Sequence, residues 1–213
     1  MGELTKVTGV PVATLKFYLR EGLLHPGEAT AINQAEYVES HVKRVKLVQA
    51  LLHLGRLSIA DAQRVIAAVD DETVPMHDAF GIAQDAMVPA RDRSGARYEA
   101  ARADVDRFVK RHRLRVRHDA EVRWMLADAL VGLEEFHLLP DGVQGDSTLL
   151  DGLVAPLVEM ATAEVATTPS SATRAEQMEH TVVGTVAFEV AYAALRRMAL
   201  EHASALHFGR GRR

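Results

Sequence analysis

The stretch Leu4–Leu24, LTKVTGVPVATLKFYLREGLL, decides how the rest of the chain is read. Two short helices joined by a tight turn account for it. The first, over about 3–8, ends at Gly9, the residue type that best tolerates the positive φ of a helix C-cap. The second runs over about 11–21 and stops at Gly22. Pro11 suits a first helical position, because its missing N–H would have had no partner within the helix. Val12, Leu15, Leu19 and Leu23 recur three and four residues apart and make an apolar stripe. Thr14, Lys16, Phe17 and Arg20 are left for other faces. A helix, a glycine-bearing turn and an amphipathic helix with basic and aromatic residues form a helix-turn-helix layout, whose second helix enters a DNA major groove.

The neighbours extend the pattern. His25-Pro26-Gly27-Glu28 is a turn, and 29–34 has no helical period, which fits a small β-hairpin wing. Ala35 to Leu54 reads as the clearest helix, with Tyr37, Val42, Val45, Val48, Leu51 and Leu52 as its stripe. Lys43, Arg44 and Lys46 decorate its other faces, and Gly55 ends it. Ser58-Ile59-Ala60-Asp61 is a capping-box-like start with Asp in place of Glu. Its helix carries Ile59, Ala62, Ile66 and Val69 to about Asp70.

TGV-x3-TLKFY-x3-GLL, followed by a wing and two helices, resembles the opening of the MerR family of transcription regulators. The resemblance covers about residues 2–70. It implies a winged helix-turn-helix in which the residues matching Thr14, Lys16, Phe17 and Tyr18 face DNA or brace the helix that does. It also implies a dimer on a pseudo-palindromic promoter site, acting on RNA polymerase by deforming the spacer. Some positions depart from the family pattern. Leu19 replaces the usual Glu, Pro11 the usual Ser, and Lys16 the usual Arg, which removes a planar bidentate fork. Of the family's Gly-Tyr-Arg-x-Tyr wing closure only Tyr37 is kept, in Asn33-Gln34-Ala35-Glu36-Tyr37, so the wing arginine is missing. Family members have a few residues before Gly2-Glu3-Leu4, so the first turn reads as trimmed or the gene start as late.

Bulk properties fit such a regulator. Apolar residues make up 48% of the 213, ample for a core, and only 5% are aromatic, which points to Ala/Leu/Val helices. The net charge of −4 is uneven: residues 1–57 carry +2 and 91–117 carry +6, against −5 for 58–90 and −10 for 118–209. A basic N-terminal surface on an acidic body results, and DNA responds to the presented face rather than to the total. The absence of cysteine excludes disulfides, thiolate metal sites and Cys-held iron–sulfur clusters. With no membrane-length apolar run and no signal segment, the expected compartment is the cytoplasm.

Helices are expected over about 75–88, 94–112, 119–138, 147–167 and 172–208, with breaks at Pro140-Asp141-Gly142 and Thr168-Pro169-Ser170-Ser171. Tyr98, Ala101, Val105, Phe108 and His112 alternate three and four apart, a short heptad-like seam. Tyr98, Val105 and Phe108 are therefore the candidate dimer contacts, the alternative being that the seam packs on the chain's own later helices. The last helix is unusually long, carries Met178, Val182, Tyr192, Leu195, Ala199 and His202, and is a candidate for a kink near Gly184.

The expected fold is mainly α. It has a DNA-binding domain over 1–70, connecting and dimerisation helices over 71–113, and an all-α effector-binding domain over 114–213. The DNA-binding candidates are Lys6, Thr14, Lys16, Tyr18, Arg20 and Tyr37. Lys16 and Arg20 lie one turn apart, suited to phosphates or guanine edges. Phe17 reads as core, while Tyr18 could pack its ring and offer its hydroxyl. Trp124, Phe136, Met160, Phe188 and Tyr192 are the side chains large enough to line a cavity for a small organic effector. No catalytic, phosphate-loop or dinucleotide motif appears, no cofactor is called for, and Glu176 with His180 is the nearest approach to a metal pair. Two other classes stay open: an architectural or excisionase-like DNA binder without ligand control, and an enzyme with its catalytic part in the C-terminal half.

Overall fold

The computed structural model describes residues 1–31, 34–89, 91–138 and 147–209. The chain divides into two compact units, Met1–Ile66 with Thr173–Arg213, and Ala67–Ala172.

The first unit opens with α1 (Gly2–Thr8), which closes at Gly9 in the left-handed region with φ 72°. The Thr8 hydroxyl donates to the Leu4 carbonyl (2.7 Å) and accepts from the Val10 N–H (3.3 Å), so one side chain ties the turn. Pro11 is the N-cap of α2 (Val12–Arg20) rather than its first helical residue, with φ −59° and an extended ψ of 146°. Beyond α2, Gly22 takes φ 68°, and the Leu23 and Leu24 N–H groups both donate to the Tyr18 carbonyl, at 2.9 and 3.2 Å. Leu4, Val10, Leu15, Tyr18, Leu23 and Leu24 are buried. Burial of each such side chain contributes about 1.5–3 kcal/mol. That stabilises helices of seven and nine residues, which are too short to persist alone.

The wing pairs β1 (Glu28–Ala31) with β2 (Gln34–Glu36) in antiparallel sense, Glu28 opposite Glu36 and Ala29 opposite Ala35. Its tip, including Asn33, lies outside the described residues. The helix expected from Ala35 starts later, as α3 (Glu39–Gln49), because Gln34–Glu36 pair with β1 and the His41 ring accepts the Val38 N–H at the helix start. α3 widens into a π-helical turn, Ala50–Leu54, where the Gly55 N–H donates back to the Ala50 carbonyl at 2.8 Å. Leu47 joins Val42, Val45, Val48 and Leu51 in the core. Arg44, expected on an outer face, is buried as well. α4 (Ile59–Asp70) starts with the expected cap: the Ser58 hydroxyl accepts from the Asp61 N–H (3.1 Å) and donates to its carboxylate (2.7 Å). The division between the units falls inside α4, after Ile66.

The last helix, α9 (Arg174–Phe208), belongs to this first unit, unlike the division expected at residue 70. Thr173 and Glu176 form its capping box, each accepting the other's backbone N–H, at 3.4 and 2.8 Å. Met178, Val182 and Val186 are the buried residues of α9, which packs on α3 and the π turn. Gly55 permits that approach. A Cβ there would stand 3.0 Å from the Val186 Cγ1 and 2.9 Å from the Leu57 Cδ1. Two ion pairs also join α3 to α9, Lys43 with Glu176 and Arg44 with Glu179.

The second unit holds α5 (Met76–Met87), α6 (Ala96–Arg111), α7 (Glu121–Glu135), a 3-10 turn at Ser147–Leu150, and α8 (Asp151–Ala166). The expected single helix over 147–167 therefore begins as a 3-10 turn, and the break at Pro140-Asp141-Gly142 lies outside the described residues. α6 and α7 share the core, with Val105, Val109, Ala127 and Leu130 at its centre. Val105 and Phe108 are buried within their own chain and Tyr98 is half-buried, the arrangement of the alternative in which the seam packs on the chain's own helices. Asp106 ties α6 to α7 through Arg123 (2.7 Å) and also accepts from Arg102 (3.2 Å). Burial pushes its carboxyl up, but the two guanidinium groups outweigh that and hold it below the usual carboxylate range. α8 buries none of its side chains and contains Pro156. Among the described residues no helix is long and apolar enough to cross a membrane.

Candidate nucleic-acid interface

At about 100° per residue, Val12, Ala13, Lys16 and Arg20 fall within one narrow arc of α2. All four are exposed, whereas Leu15 and Tyr18 on the other side are buried. Val12 therefore leaves the apolar stripe in which the sequence placed it. It is 39% exposed and shares the face of the two cations. A face of two small apolar side chains and two basic ones suits a major groove, where thymine methyls and guanine acceptors are both read. Val12 and Ala13 were missed as site residues, and the sequence signal for them was their one-turn spacing from Lys16 and Phe17.

Arg20 is pre-oriented. Its guanidinium carbon lies 5.2 Å from the Phe17 ring centroid, and its Nε donates to Glu21 at 3.1 Å. Its side chain is still 70% exposed, so a phosphate or base edge can compete for it with Glu21. Lys16 is exposed, Thr14 is half-buried near the helix start, and Lys6 is exposed on α1. Tyr37 is half-buried, its ring edge-on to His41 at 5.1 Å.

The aromatic pair divides differently from the sequence reading. Tyr18 is the core residue, 2% exposed, and Phe17 is the half-exposed one. The Tyr18 hydroxyl is buried and meets no hydrogen-bond partner among the described residues, and burial pushes the phenol pKa up. In this arrangement Tyr18 braces α2 from behind.

Residues 1–69 match the family described as MerR HTH family regulatory protein. Along its whole length the chain is also similar to a crystal structure described as a "putative transcriptional regulator" from Streptomyces coelicolor A3(2). The two share 30% identity and a TM-score of 0.72, over 98% of this chain and 97% of the other. The chain belongs to the MerR family. No curated protein matches it significantly. As a MerR protein it is a DNA-binding regulator, with a winged helix-turn-helix module followed by helices.

The side chains expected to hold an effector in this MerR protein are each described within their own unit. Trp124 stacks against Arg102 and Arg93, whose guanidinium carbons lie 5.1 and 5.8 Å from its ring, and Arg93 is clamped by Asp128 and Glu121 at 3.0 and 2.8 Å. Phe136 is 69% exposed and Met160 is exposed on α8, while Phe188 and Tyr192 stack on each other along α9 at 5.9 Å. Glu176 is engaged by Lys43 and by the Thr173 cap. Among the described residues no three His, Asp or Glu side chains are placed to hold a metal ion.

Proposed function

We propose that this MerR-family chain is a homodimeric, promoter-binding transcription regulator rather than an enzyme, reading a pseudo-palindromic site and answering to a small organic ligand. The solvated Val12–Ala13–Lys16–Arg20 face, backed by a buried core, is the observation that carries the DNA reading. Thr14, Lys6 and Tyr37 are its flanking contacts, Tyr18 its brace, and RNA polymerase responds indirectly through the bound DNA.

The dimer reading rests on α9. From Ala193 onward every described residue of that helix is exposed. Phe188, Tyr192, Leu195, Ala199, His202 and Leu206 recur four and three apart along it, a heptad seam. A helical arm of about four turns, exposed all round, is marginal alone in water and is stabilised by a partner helix. A second copy of the arm supplies a matching seam and replaces the seam expected on α6. The effector is assigned to the all-α part over residues 114–213.

A genome-wide footprint of the purified protein tests the proposal. Recovery of one or a few inverted repeats inside promoters is expected, and uniform binding would overturn it. A Leu195→Glu, Leu206→Glu double variant should sediment as a monomer and bind those repeats at least tenfold more weakly. A variant that stays dimeric would move the seam elsewhere.

A further inference from the structure

One imidazole holds both ends of the wing. His41, in the first turn of α3, is 2% exposed. Its Nδ1 accepts from the Val38 N–H at 3.1 Å, and its Nε2 lies 3.2 Å from the Pro26 carbonyl oxygen. A backbone N–H only donates and a carbonyl only accepts. The ring is therefore the tautomer with Nδ1 bare and Nε2 protonated. Pro26 stands just ahead of β1 and Val38 just behind β2, so the two hydrogen bonds span the base of the hairpin. Strands of four and three residues, with no third strand beside them among the described residues, are marginal alone. The angle at which this wing leaves the module thus depends on what holds its base.

The geometry points to His41 as the positioning residue of the wing: the neutral ring clamps the hairpin in its DNA-binding pose, and a second ring proton releases it. A proton on Nδ1 turns an acceptor into a donor facing the Val38 N–H, so that hydrogen bond is lost and the two N–H groups repel. The new charge would also sit against the His25 ring, whose centroid is 4.0 Å away. Tyr37 meets the ring edge-on. The other elements packed on α3 are α1, with Glu3 and Lys6, and α9, whose Glu176 and Glu179 are matched to Lys43 and Arg44.

His41→Asn and His41→Gln separate a clamp from a plain helix cap. The Asn oxygen still caps Val38 but does not reach Pro26, whereas the Gln amide reaches toward Pro26. Amide exchange of β1 and β2 would be followed from pH 5 to 8, together with affinity for duplexes that the wild-type protein selects from a random pool. In His41→Asn the hairpin amides should exchange several-fold faster than in wild type at pH 8 while α3 stays protected, and affinity should fall about three- to tenfold. His41→Gln keeps only the Pro26 end, as the protonated ring does, so its hairpin amides should be less protected than in wild type at pH 8, and that protection should not change with pH. Wild type should converge on His41→Gln as the pH falls. Equal hairpin exchange in wild type and His41→Asn, or a constant difference at every pH, would overturn the clamp. Should the wild type select no duplex, the DNA reading fails while the exchange data still decide the clamp.

Discussion

The seating of α9 on α3 is most sharply tested at Arg44 and Glu179. Their charged groups meet at 3.2 Å, and their side chains are only 8% and 13% exposed. An exposed pair contributes about 0.2–1 kcal/mol, whereas removing one partner of a buried pair costs about 3–5 kcal/mol. With Glu179 still touching water, Arg44→Met should destabilise by about 3 kcal/mol, the lower end of the buried range. In thermal unfolding of a chain this size that is a fall of roughly 6–12 °C. The double variant Arg44→Met, Glu179→Leu removes the stranded charge and should return to within about 1 kcal/mol of wild type, since apolar replacements of buried pairs are often near neutral. Urea unfolding of the four proteins, with amide exchange on α3 and α9, gives the coupling energy directly. A coupling below about 0.5 kcal/mol would place the pair in solvent and refute the packing of α9 on the DNA-binding module.

Lys16→Ala should weaken binding to a selected duplex by about 1–3 kcal/mol, while Lys110→Ala on α6 should leave it unchanged; equal losses in titrations at two salt concentrations would mean the DNA face is elsewhere. Glu176 has its pKa lowered to about 2, chiefly by the hydrogen bond from Lys43 and then by the Thr173 cap, against 4.5 for the free side chain. A depressed carboxyl stabilises the fold above the unfolded pKa and loses that effect as pH falls through the folded one. The stability difference between wild type and Glu176→Gln should therefore be constant above pH 4.5 and shrink toward pH 2, as read from urea midpoints. Gly55→Ala should destabilise by about 1–3 kcal/mol, because its methyl would press on Val186 and Leu57; a neutral result in urea would mean that α9 yields easily there.

The local layout of the first seventy residues was legible because each boundary carries its own chemistry. Gly9 and Gly22 take positive φ, Ser58 and Asp61 cap α4, and the stripe of α3 is periodic. What was not legible depends on distant neighbours. Arg44 reads as a surface cation until Glu179, far along the chain, is brought beside it. The seam Tyr98–Val105–Phe108 has the spacing of a dimer helix, but that spacing describes any helix with one buried side, and at Val105 the cover comes from Ala127 and Leu130 of α7. Tyr18 and Phe17 are adjacent aromatics whose order of burial is set by the direction in which α2 faces the core, which composition does not record. The π turn at Ala50–Leu54 replaces the end of an otherwise regular helix, and no residue there announces it.

The return of α9 to the first unit bears on how the protein comes off the ribosome. Residues 1–66 emerge first, but Met178, Val182 and Val186 complete their core more than a hundred residues later. At synthesis rates of about 5–20 residues per second, the nascent module waits seconds with the apolar side of α3 uncovered. Such distant closure slows folding. A chain broken off early carries α2 but not the segment that completes the core behind α3 and the π turn.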